Sequence, residues 1–550
     1  MMDLYPLKAQ YLRNEEITLR LELQEEKFNN AVIQIYMLEK EALVKEIRTL
    51  SEVTDIRIGG FDEPFAGYGV EALLYGEHGT EILETAFDVA DNPKRSLRYG
   101  FVSDFEEKDT DNGAIEQLRK YHINMVQFYD WSYRHDTLVP PHDVYQEMMG
   151  KQIDFRTVKT KIKTASGYGM KSMAYGAVYA ASGDFYNSHK NWAFYNGNQE
   201  VFRFIDVFYI MNIEKGAPWR THLIEQYRDA IVRAGFSGIH MDTYGFPKTA
   251  FSHLQERPKL VKLDQEFGGL IDETREELQK AVDEPCLVFN NVGNWPVAET
   301  AKSTVDAVYI EVWSPYDRYY HIKQLIQEAK KLSGNKKPVI LAAYLAPFRT
   351  EDSFSAANAA YILTAAIVSN GGYHLLIGEN NAVLTQGYYG DYSIMSDETA
   401  AVMRKYYDFM IRYLNLFYDS TLQDVSMTHI GWDNYEYQCG FENWSVNGEA
   451  GKVWITIREN ERFKCLYLIN LCGCSEDSWN KGKAVPFKQK NLTFTVNVDG
   501  DIQGVYCASP DRDTCKSKSL EYAYIDNEKG KFINFSVEEL SVWTVLFIRL

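Results

Sequence analysis

The sequence predicts a multidomain α/β and β protein, in which a central (β/α)8 barrel (a TIM barrel) is flanked by N-terminal and C-terminal β-sandwich domains. The 550 residues exceed what one compact core normally encloses, so more than one domain is expected. Short apolar runs alternate with amphipathic stretches in the middle of the chain, whereas both ends show period-two alternation of apolar and polar residues. We predict domains at residues 1–94, 95–418 and 419–550.

The N-terminal segment has the pattern of half-buried strands. Apolar and polar residues alternate at 17–23, 31–36 and 84–89, and glycines separate these runs. The last run ends at Asn92 and Pro93, a pair that favours a turn. We therefore predict an immunoglobulin-like β-sandwich that ends at this point.

The middle segment predicts the barrel. Its apolar runs lie at 99–104, 123–129, 171–175, 238–242, 287–291, 307–311, 339–344 and 372–377. Amphipathic stretches such as 222–233 and 322–331 lie between them. Eight strands alternating with helices over roughly 300 residues are typical of a (β/α)8 barrel. A doubly wound sheet is the alternative, but it rarely needs eight strands, and no GxGxxG motif follows the first run.

The C-terminal segment returns to the pattern of strands. A helix is predicted near 397–416, and alternation follows at 452–458, 465–470, 492–497 and 541–547, which predicts a second β-sandwich. Six of the seven cysteines lie in this segment, and the pair Cys472 and Cys474 has no second pair or histidine at zinc-ligand spacing. The odd number of cysteines fits reduced thiols better than a disulfide framework.

The charge of the chain limits its partners. A formal net charge of −19 argues against nucleic acid and anionic membranes, because both bind basic surfaces. No apolar run is long enough to cross a bilayer. The first residues lack a basic region followed by an apolar one, so no signal peptide is visible. We expect a cytoplasmic protein if the chain is complete and a secreted one if a leader was removed; the oligomeric state is left open.

Polar and aromatic residues collect at the predicted strand ends, where the active site of a (β/α)8 barrel lies. The runs end in or near Asp104, Asp130, Trp131, Tyr175, Asp242, Tyr244, Asn290, Asn291, Glu311, Trp313 and Glu379. Carboxylates and amides can bind sugar hydroxyls, and aromatic rings can cover the faces of sugar rings. We predict that the substrate-binding residues are Asp130, Trp131, Tyr244, Asn291 and Trp313.

Two of these acids suit glycoside hydrolysis, which uses one ionised and one protonated carboxyl group. Asp242 and Glu311 end strands 4 and 6, so they can face each other across the barrel mouth at the roughly 5–5.5 Å of a retaining enzyme. The apolar and aromatic neighbours of Glu311 should raise its pKa, as an acid requires. Asp242 lies beside hydrogen-bond donors and is predicted to be the nucleophile. The alternative is that each acid binds a sugar hydroxyl or neutralises an arginine.

Other chemistries have weaker support in the sequence. The 11 histidines form no HxH or HExxH pattern at strand ends, so no metal site is predicted, and no other cofactor is expected. His122 and His240 lie inside predicted strands, where a hydrogen-bonded core histidine is the usual role. No GxSxG motif is present to support an esterase.

The sequence resembles glycoside hydrolase family 66, the dextranases and cycloisomaltooligosaccharide glucanotransferases, and is closer to the dextranases. The resemblance lies in GYGV at 67–70, TAFDV at 85–89, RYGFVSDF at 98–105, NMVQFYDWSYRHD at 124–136, GIHMDTYG at 238–245, NN at 290–291 and YIEVW at 309–313. It covers the first sandwich and the barrel, and more loosely the last domain. It implies that Asp242 is the nucleophile and Glu311 the general acid/base, with retaining cleavage of α-1,6-glucosidic links.

The resemblance leads us to expect an endo-acting dextranase that binds dextran or isomaltooligosaccharides. The α-amylases place an arginine where this chain has His240, which disfavours that family. The cyclising transferases of family 66 carry an additional carbohydrate-binding module inserted in the barrel, and the longest inter-strand segment here, near 180–237, has no room for one. Cyclising or linear transglycosylation is an alternative, and a non-catalytic α-glucan-binding protein is another; activity on dextran would separate the last from an enzyme.

Overall fold

The structure is a computed structural model that describes residues 2–23, 28–77, 79–110 and 113–550. Across these residues, eight parallel strands form one sheet whose order follows the chain from first to last. Barrel strands 1 to 8 are Tyr99–Val102, Met125–Phe128, Lys171–Ala177, Gly238–Asp242, Cys286–Val292, Ala307–Glu311, Val339–Ala342 and Tyr373–His374. A parallel bridge between Phe101 and Gly378 joins strand 1 to the chain just after strand 8. The predicted (β/α)8 barrel is confirmed.

Helices connect the barrel strands and cover the outside of the sheet. They are Gly113–Lys120, Phe155–Gly167, Pro218–Asp229 with a π-helical turn at Ala230–Ala234, Asp264–Gln279, Val297–Thr300, Tyr319–Leu332, Pro347–Thr350, Ser353–Ser369, Asp397–Arg412 and Leu414–Tyr418. Leu325, Ile326 and Ala329 of one helix are fully buried, as expected of a helix that turns an apolar face to the sheet. No helix in the described ranges is long and apolar enough to cross a membrane.

Shorter elements lie in the connections. After strand 1 comes the 3-10 turn Glu107–Asp109, and after strand 2 the strands Val144–Gln146 and Gln152–Asp154. Strand 3 is followed by Ala180–Ala181, the helix Gly183–Ser188, the turn Lys190–Trp192 and the strands Phe194–Tyr195, Arg203–Phe204 and Phe208–Ile210. Strand 4 is followed by Thr249–Ser252 and Lys259–Lys262, and strand 8 by Glu379–Asn381, Ala382–Val383 and Ser393–Ile394.

Two further pairs of sheets lie before and after the barrel. In the described N-terminal residues, one sheet contains Asp3–Pro6, Ile17–Glu22 and Val53–Gly59, and the other Tyr11–Leu12, Gly79–Ala90, Phe65–Gly76, Phe28–Met37 and Lys40–Ile47; the turn Pro93–Arg95 follows. One C-terminal sheet contains Gln423–Asp424, Trp444–Ser445, Val453–Glu459, Phe463–Asn470, Trp543–Arg549, Gly504–Ala508 and Lys518–Leu520. The other contains Tyr437–Cys439, Gln489–Asn497, Gly530–Leu540 and Tyr522–Asn527. The exact boundaries at 94 and 418 stay predictions.

The phase of the barrel strands decides which side chains reach the barrel axis. Successive residues of a strand point to opposite faces. His240 and Asp242, two positions apart, therefore share one face, as do Tyr309 and Glu311. The rings of Tyr99, His240 and Tyr309 pack inside the barrel, with 4.9 Å between the last two centroids. Asp242 and Glu311 come two residues later on their strands and therefore lie one layer higher, at the carboxyl-terminal mouth.

Candidate active site

A cavity of about 430 Å³ opens at the carboxyl-terminal ends of the barrel strands. Its buried end, which we call the floor, contains Asp242, Asn290 and Glu311, which are 8%, 4% and 7% exposed. Its solvent-exposed edge, which we call the rim, contains Ile205 and Trp313, which are 51% and 43% exposed. The cavity thus extends from a buried acidic floor to an exposed rim with apolar and aromatic side chains.

Asp242 is held at the floor by neutral hydrogen-bond donors. The Tyr175 hydroxyl donates to one carboxylate oxygen over 2.6 Å, and the Asn290 amide nitrogen donates to the other over 2.7 Å. Burial raises the pKa of Asp242 from 3.8 to about 6, although both hydrogen bonds act to lower it. Asp242 is thus fixed in orientation without a cation beside it.

Glu311 has a matching environment. The Tyr344 hydroxyl donates to Oε1 over 2.8 Å, and Asn290 donates to Oε2 over 2.9 Å. Burial and then the negative charge of Asp242 raise the pKa of Glu311 from 4.5 to about 7, against the lowering effect of the two hydrogen bonds. Glu311 therefore keeps its proton at a pH where Asp242 is already ionised.

Asn290 fixes the separation of the two acids, because a single nitrogen donates to both. Asp242 Oδ1 and Glu311 Oε2 lie 2.7 Å and 2.9 Å from that nitrogen, so they are no more than 5.6 Å apart, the sum of the two distances. Retaining glycosidases hold their carboxyl groups roughly 5–5.5 Å apart, whereas inverting enzymes need roughly 6.5–9.5 Å to admit a water. This upper limit on the separation of the two carboxylate oxygens favours the retaining arrangement.

Histidines near the acids are neutral. His240 is buried below Asp242, where its Nδ1 lies 2.9 Å from the Tyr99 hydroxyl, and burial lowers its pKa to about 3. His135 lines the cavity, and burial lowers its pKa to about 4. Within the described residues, no group of three or more His, Cys, Asp or Glu is arranged to hold a metal ion.

The sequence model of glycosyl hydrolase family 66 matches residues 7–547. This chain belongs to that family. Two curated relatives from Niallia circulans, each named cycloisomaltooligosaccharide glucanotransferase, are 22% identical to it over 84% and 99% of this chain. The chain spans 62% and 72% of the lengths of these relatives. The predicted resemblance to family 66 is thus confirmed.

Solved structures share the fold of this family 66 chain. A cycloisomaltooligosaccharide glucanotransferase from Paenibacillus sp., complexed with cycloisomaltoheptaose, superposes with a TM-score of 0.89 over all of both chains at 20% identity. An α-amylase from Geobacillus thermoleovorans has a TM-score of 0.53, covering 84% of this chain and 99% of its own, at 9% identity. The (β/α)8 barrel is common to both comparisons, and the whole architecture matches the first.

Three of the five predicted substrate-binding residues line the cavity of this family 66 protein: Asp130, Tyr244 and Trp313. Burial raises the pKa of Asp130 well above its usual range, and the charges of Glu147 and Asp242 raise it further. The Tyr244 hydroxyl is buried and has no protein partner among the described residues, which leaves it available to a ligand.

Trp131 and Asn291 do not line the cavity, so the structure does not bring them together with the other three predicted binding residues. Trp131 is fully buried, donates to the Tyr175 carbonyl over 3.2 Å and packs against Phe236. Asn291 donates to the Tyr309 carbonyl over 2.7 Å and accepts from Thr300, on the side of the strand away from the barrel axis. Asn290 and Asn291 are adjacent on strand 5 and therefore point to opposite sides. Trp131 lies three residues beyond strand 2, after Asp130 with its φ of 50°, so strand alternation does not predict its direction.

Sequence reasoning missed several residues of the site. Asn290, rather than its neighbour Asn291, bridges the acids; the alternation that places Asp242 and Glu311 inward could have selected it. Tyr175 and Tyr344 also end predicted strands, so the same reasoning could have found them. Further missed residues lie in the connections between barrel strands, where no period relates them to the site: His135, Met149, Phe204, Ile205, Phe208, Gly387, Tyr388 and Tyr389. Others lie in or directly after barrel strands: Gln127, Tyr129, His240, Thr243, Val292 and Tyr309.

Proposed function

We propose that this family 66 enzyme is an endo-acting, retaining hydrolase of α-1,6-glucosidic linkages in dextran. The observation that carries the proposal is that the two buried acids, Asp242 and Glu311, both accept a hydrogen bond from the Asn290 amide nitrogen. The neutral hydroxyls of Tyr175 and Tyr344 donate to their other carboxylate oxygens. Asp242 attacks the anomeric carbon while Glu311 gives its proton to the leaving oxygen, and Glu311 then takes a proton from the water that releases the sugar. Two displacements leave the α-configuration unchanged.

A polyhydroxylated substrate is supported by unpaired polar groups around the cavity. Buried atoms of Gln127, His135, Tyr244 and Asn290 lack a protein partner among the described residues, and all four residues line the cavity. Buried polar groups are normally paired, so these atoms suit hydroxyls brought by a ligand. The α-1,6 linkage is supported by the names of the relatives, which act on or bind cycloisomaltooligosaccharides.

Hydrolysis rather than cyclisation is supported by what this chain lacks. One alignment to a named glucanotransferase runs over 709 positions, more than the 550 residues here, so that relative has segments inside the aligned region that this chain does not. Residues 178–237, all of them described, contain only short strands, turns and the helices that lead to strand 4. Linear or cyclising transglycosylation is the second candidate, because the relatives are named transferases and a sugar hydroxyl can replace water in the second step.

Endo action is supported by short connections on one side of the mouth. Only residues 293–296 separate strand 5 from its helix, and 312–318 separate strand 6 from the next. An exo-acting enzyme needs a pocket blocked at one end, which long loops usually build. The connections after strands 5 and 6 leave room for a chain to extend past the site.

Digestion of high-molecular-weight dextran tests these points together, with Asp242→Asn as the inactive control. Viscosity should fall well before much reducing sugar accumulates, and proton NMR should show α-anomers as the first products. Glucose as the sole early product would exclude endo action, and β-anomers would exclude double displacement. A chromatographic ladder of cyclic products would favour the transferase candidate, and no reaction at all would favour a binding protein.

A further inference from the structure

A hairpin after strand 3 forms one side of the cavity. Its strands, Arg203–Phe204 and Phe208–Ile210, pair antiparallel, and Ala180–Ala181 anchors the second of them. The Phe204 ring stacks on Tyr244 with 4.1 Å between centroids, and the Phe208 ring lies 5.0 Å from that of His135. These two hairpin residues line the cavity themselves and pack against its side chains, which fixes the position of the turn relative to the floor.

The turn of this hairpin has an unfavourable backbone for its sequence. Val207 N–H donates to the Phe204 carbonyl over 3.2 Å, so the four residues 204–207 form a β-turn. Its central residues, Ile205 and Asp206, have φ of 46° and 56°. Such type I′ turns favour Asn, Asp and Gly, and a β-branched residue with positive φ is an outlier because its side chain crowds the backbone.

The Ile205 side chain does not offset this strain by packing in the core, since it is 51% exposed. It lies instead at the rim and lines the cavity. Strained residues persist where the surrounding structure imposes them, and they concentrate at binding sites. Strain, exposure and position together need an explanation that the fold alone does not supply.

We propose that Ile205 is a specificity-determining residue, whose apolar side chain contacts a glucosyl unit outside the floor and so favours long α-glucan chains over short ones. The proposal rests on the function proposed above. A pyranose presents C–H groups on its faces, and a branched apolar side chain held at the rim removes water from that surface. Residues at the floor act on the reacting unit, whereas Ile205 contacts a neighbouring unit of the chain, so its contribution should be greater for long chains than for short ones.

The test compares Ile205→Asn with Ile205→Val and with Asp206→Asn. Asparagine tolerates positive φ, so Ile205→Asn should raise Tm by about 1–3 °C. It should raise KM for dextran and long isomaltooligosaccharides about tenfold, with kcat within about twofold, because the apolar contact is lost. Kinetics on 4-nitrophenyl α-isomaltoside, which offers only one glucosyl unit besides the reacting one, should change much less than kinetics on long chains. Ile205→Val keeps the apolar side chain, and Asp206→Asn changes the same turn at a residue outside the cavity, so both should keep wild-type KM.

Three outcomes would overturn the proposal for Ile205: an unchanged KM for long substrates in Ile205→Asn, an equal loss on the short substrate, or a lower Tm that reveals a packing role. The first two outcomes count against the proposal only if the wild-type enzyme is active on α-1,6-glucans. Absence of wild-type activity on every α-1,6-glucan would instead refute the proposed function. The two failures are therefore distinguishable in one set of assays.

Discussion

Two pairs of acids lie at the ends of barrel strands, and they differ in the groups that surround them. Asp242 and Glu311, after strands 4 and 6, receive hydrogen bonds from tyrosine hydroxyls and one amide, and neither forms an ion pair within the described residues. Glu379, just after strand 8, pairs with buried Lys161. Asp104, just after strand 1, forms an ion pair of 3.0 Å with Lys151.

The difference separates two acids that are bonded to neutral groups from two that are paired with lysines. Glu379 Oε1 accepts the backbone N–H groups of Ser103 and Asp104 over 2.8 Å and 2.9 Å, and so connects the last barrel strand to the first. Neither Asp104 nor Glu379 lines the cavity. A strand-end position is thus shared by both pairs, but Asp242 and Glu311 line the cavity and accept hydrogen bonds from neutral groups, whereas Asp104 and Glu379 pair with lysines outside it.

Substitution of the cation-free pair should have the largest effect on activity. Glu311→Gln should lower kcat on dextran about 10³-fold or more, because the leaving oxygen no longer receives a proton. Activity on substrates with a good leaving group should be largely kept. Asp242→Gly should be inactive, and azide should partly restore it with a β-glucosyl azide, formed by a single displacement. Near wild-type cleavage of dextran by Glu311→Gln, or an α-azide from Asp242→Gly, would contradict the assignments.

The pH dependence should report the same pair. Activity needs ionised Asp242 and protonated Glu311, with pKa values of about 6 and 7, so kcat/KM should be greatest between those values. It should fall as the pH drops through 6, because the nucleophile is protonated, and as the pH rises through 7, because the acid is lost. Two pH units beyond either limit, the loss should be about 100-fold. In Asp242→Asn, the pKa of Glu311 should fall, since the neighbouring charge is removed; carboxyl carbon NMR can measure it.

The sequence predicted the barrel and its two acids because strand ends converge in this fold. The prediction selected Asn291 instead of Asn290, although the alternation that places Asp242 and Glu311 inward favours Asn290. It placed both Trp131 and Trp313 in the site, one and two residues past a strand-end acid, and of the two only Trp313 lines the cavity. Ile205 and Tyr388 come from connections, where no periodicity relates a residue to the site. Convergence of strands was therefore predictable, whereas the path of each loop was not.

Substitution of Trp313 should lower activity, whereas substitution of Trp131 should lower stability. Trp313→Ala should lower kcat/KM about tenfold by removing a ring at the rim, with Tm unchanged. Trp131→Ala should lower the free energy of unfolding by about 3–5 kcal/mol, because it leaves a cavity in the core. Steady-state kinetics and thermal unfolding of both variants measure this. A stable Trp131→Ala with a selective loss of substrate affinity would restore its predicted role in binding.

The smallest effect on activity is expected for substitution of Glu379, because this acid pairs with Lys161 and does not line the cavity. Glu379→Gln leaves the charge of buried Lys161 uncompensated, which should lower the free energy of unfolding by about 3–5 kcal/mol. The kcat/KM of the folded enzyme should stay within about twofold, and adding Lys161→Met should recover part of the stability.

Glu311→Gln should behave in the opposite way at pH 8. Because burial raises the pKa of Glu311, its charged form lowers the stability of the folded state above pH 7. The neutral glutamine variant should therefore unfold no more easily than the wild type at that pH. Equal losses of activity in the two glutamine variants, without a loss of stability in Glu379→Gln, would show that the cation partner does not distinguish structural from reactive acids here.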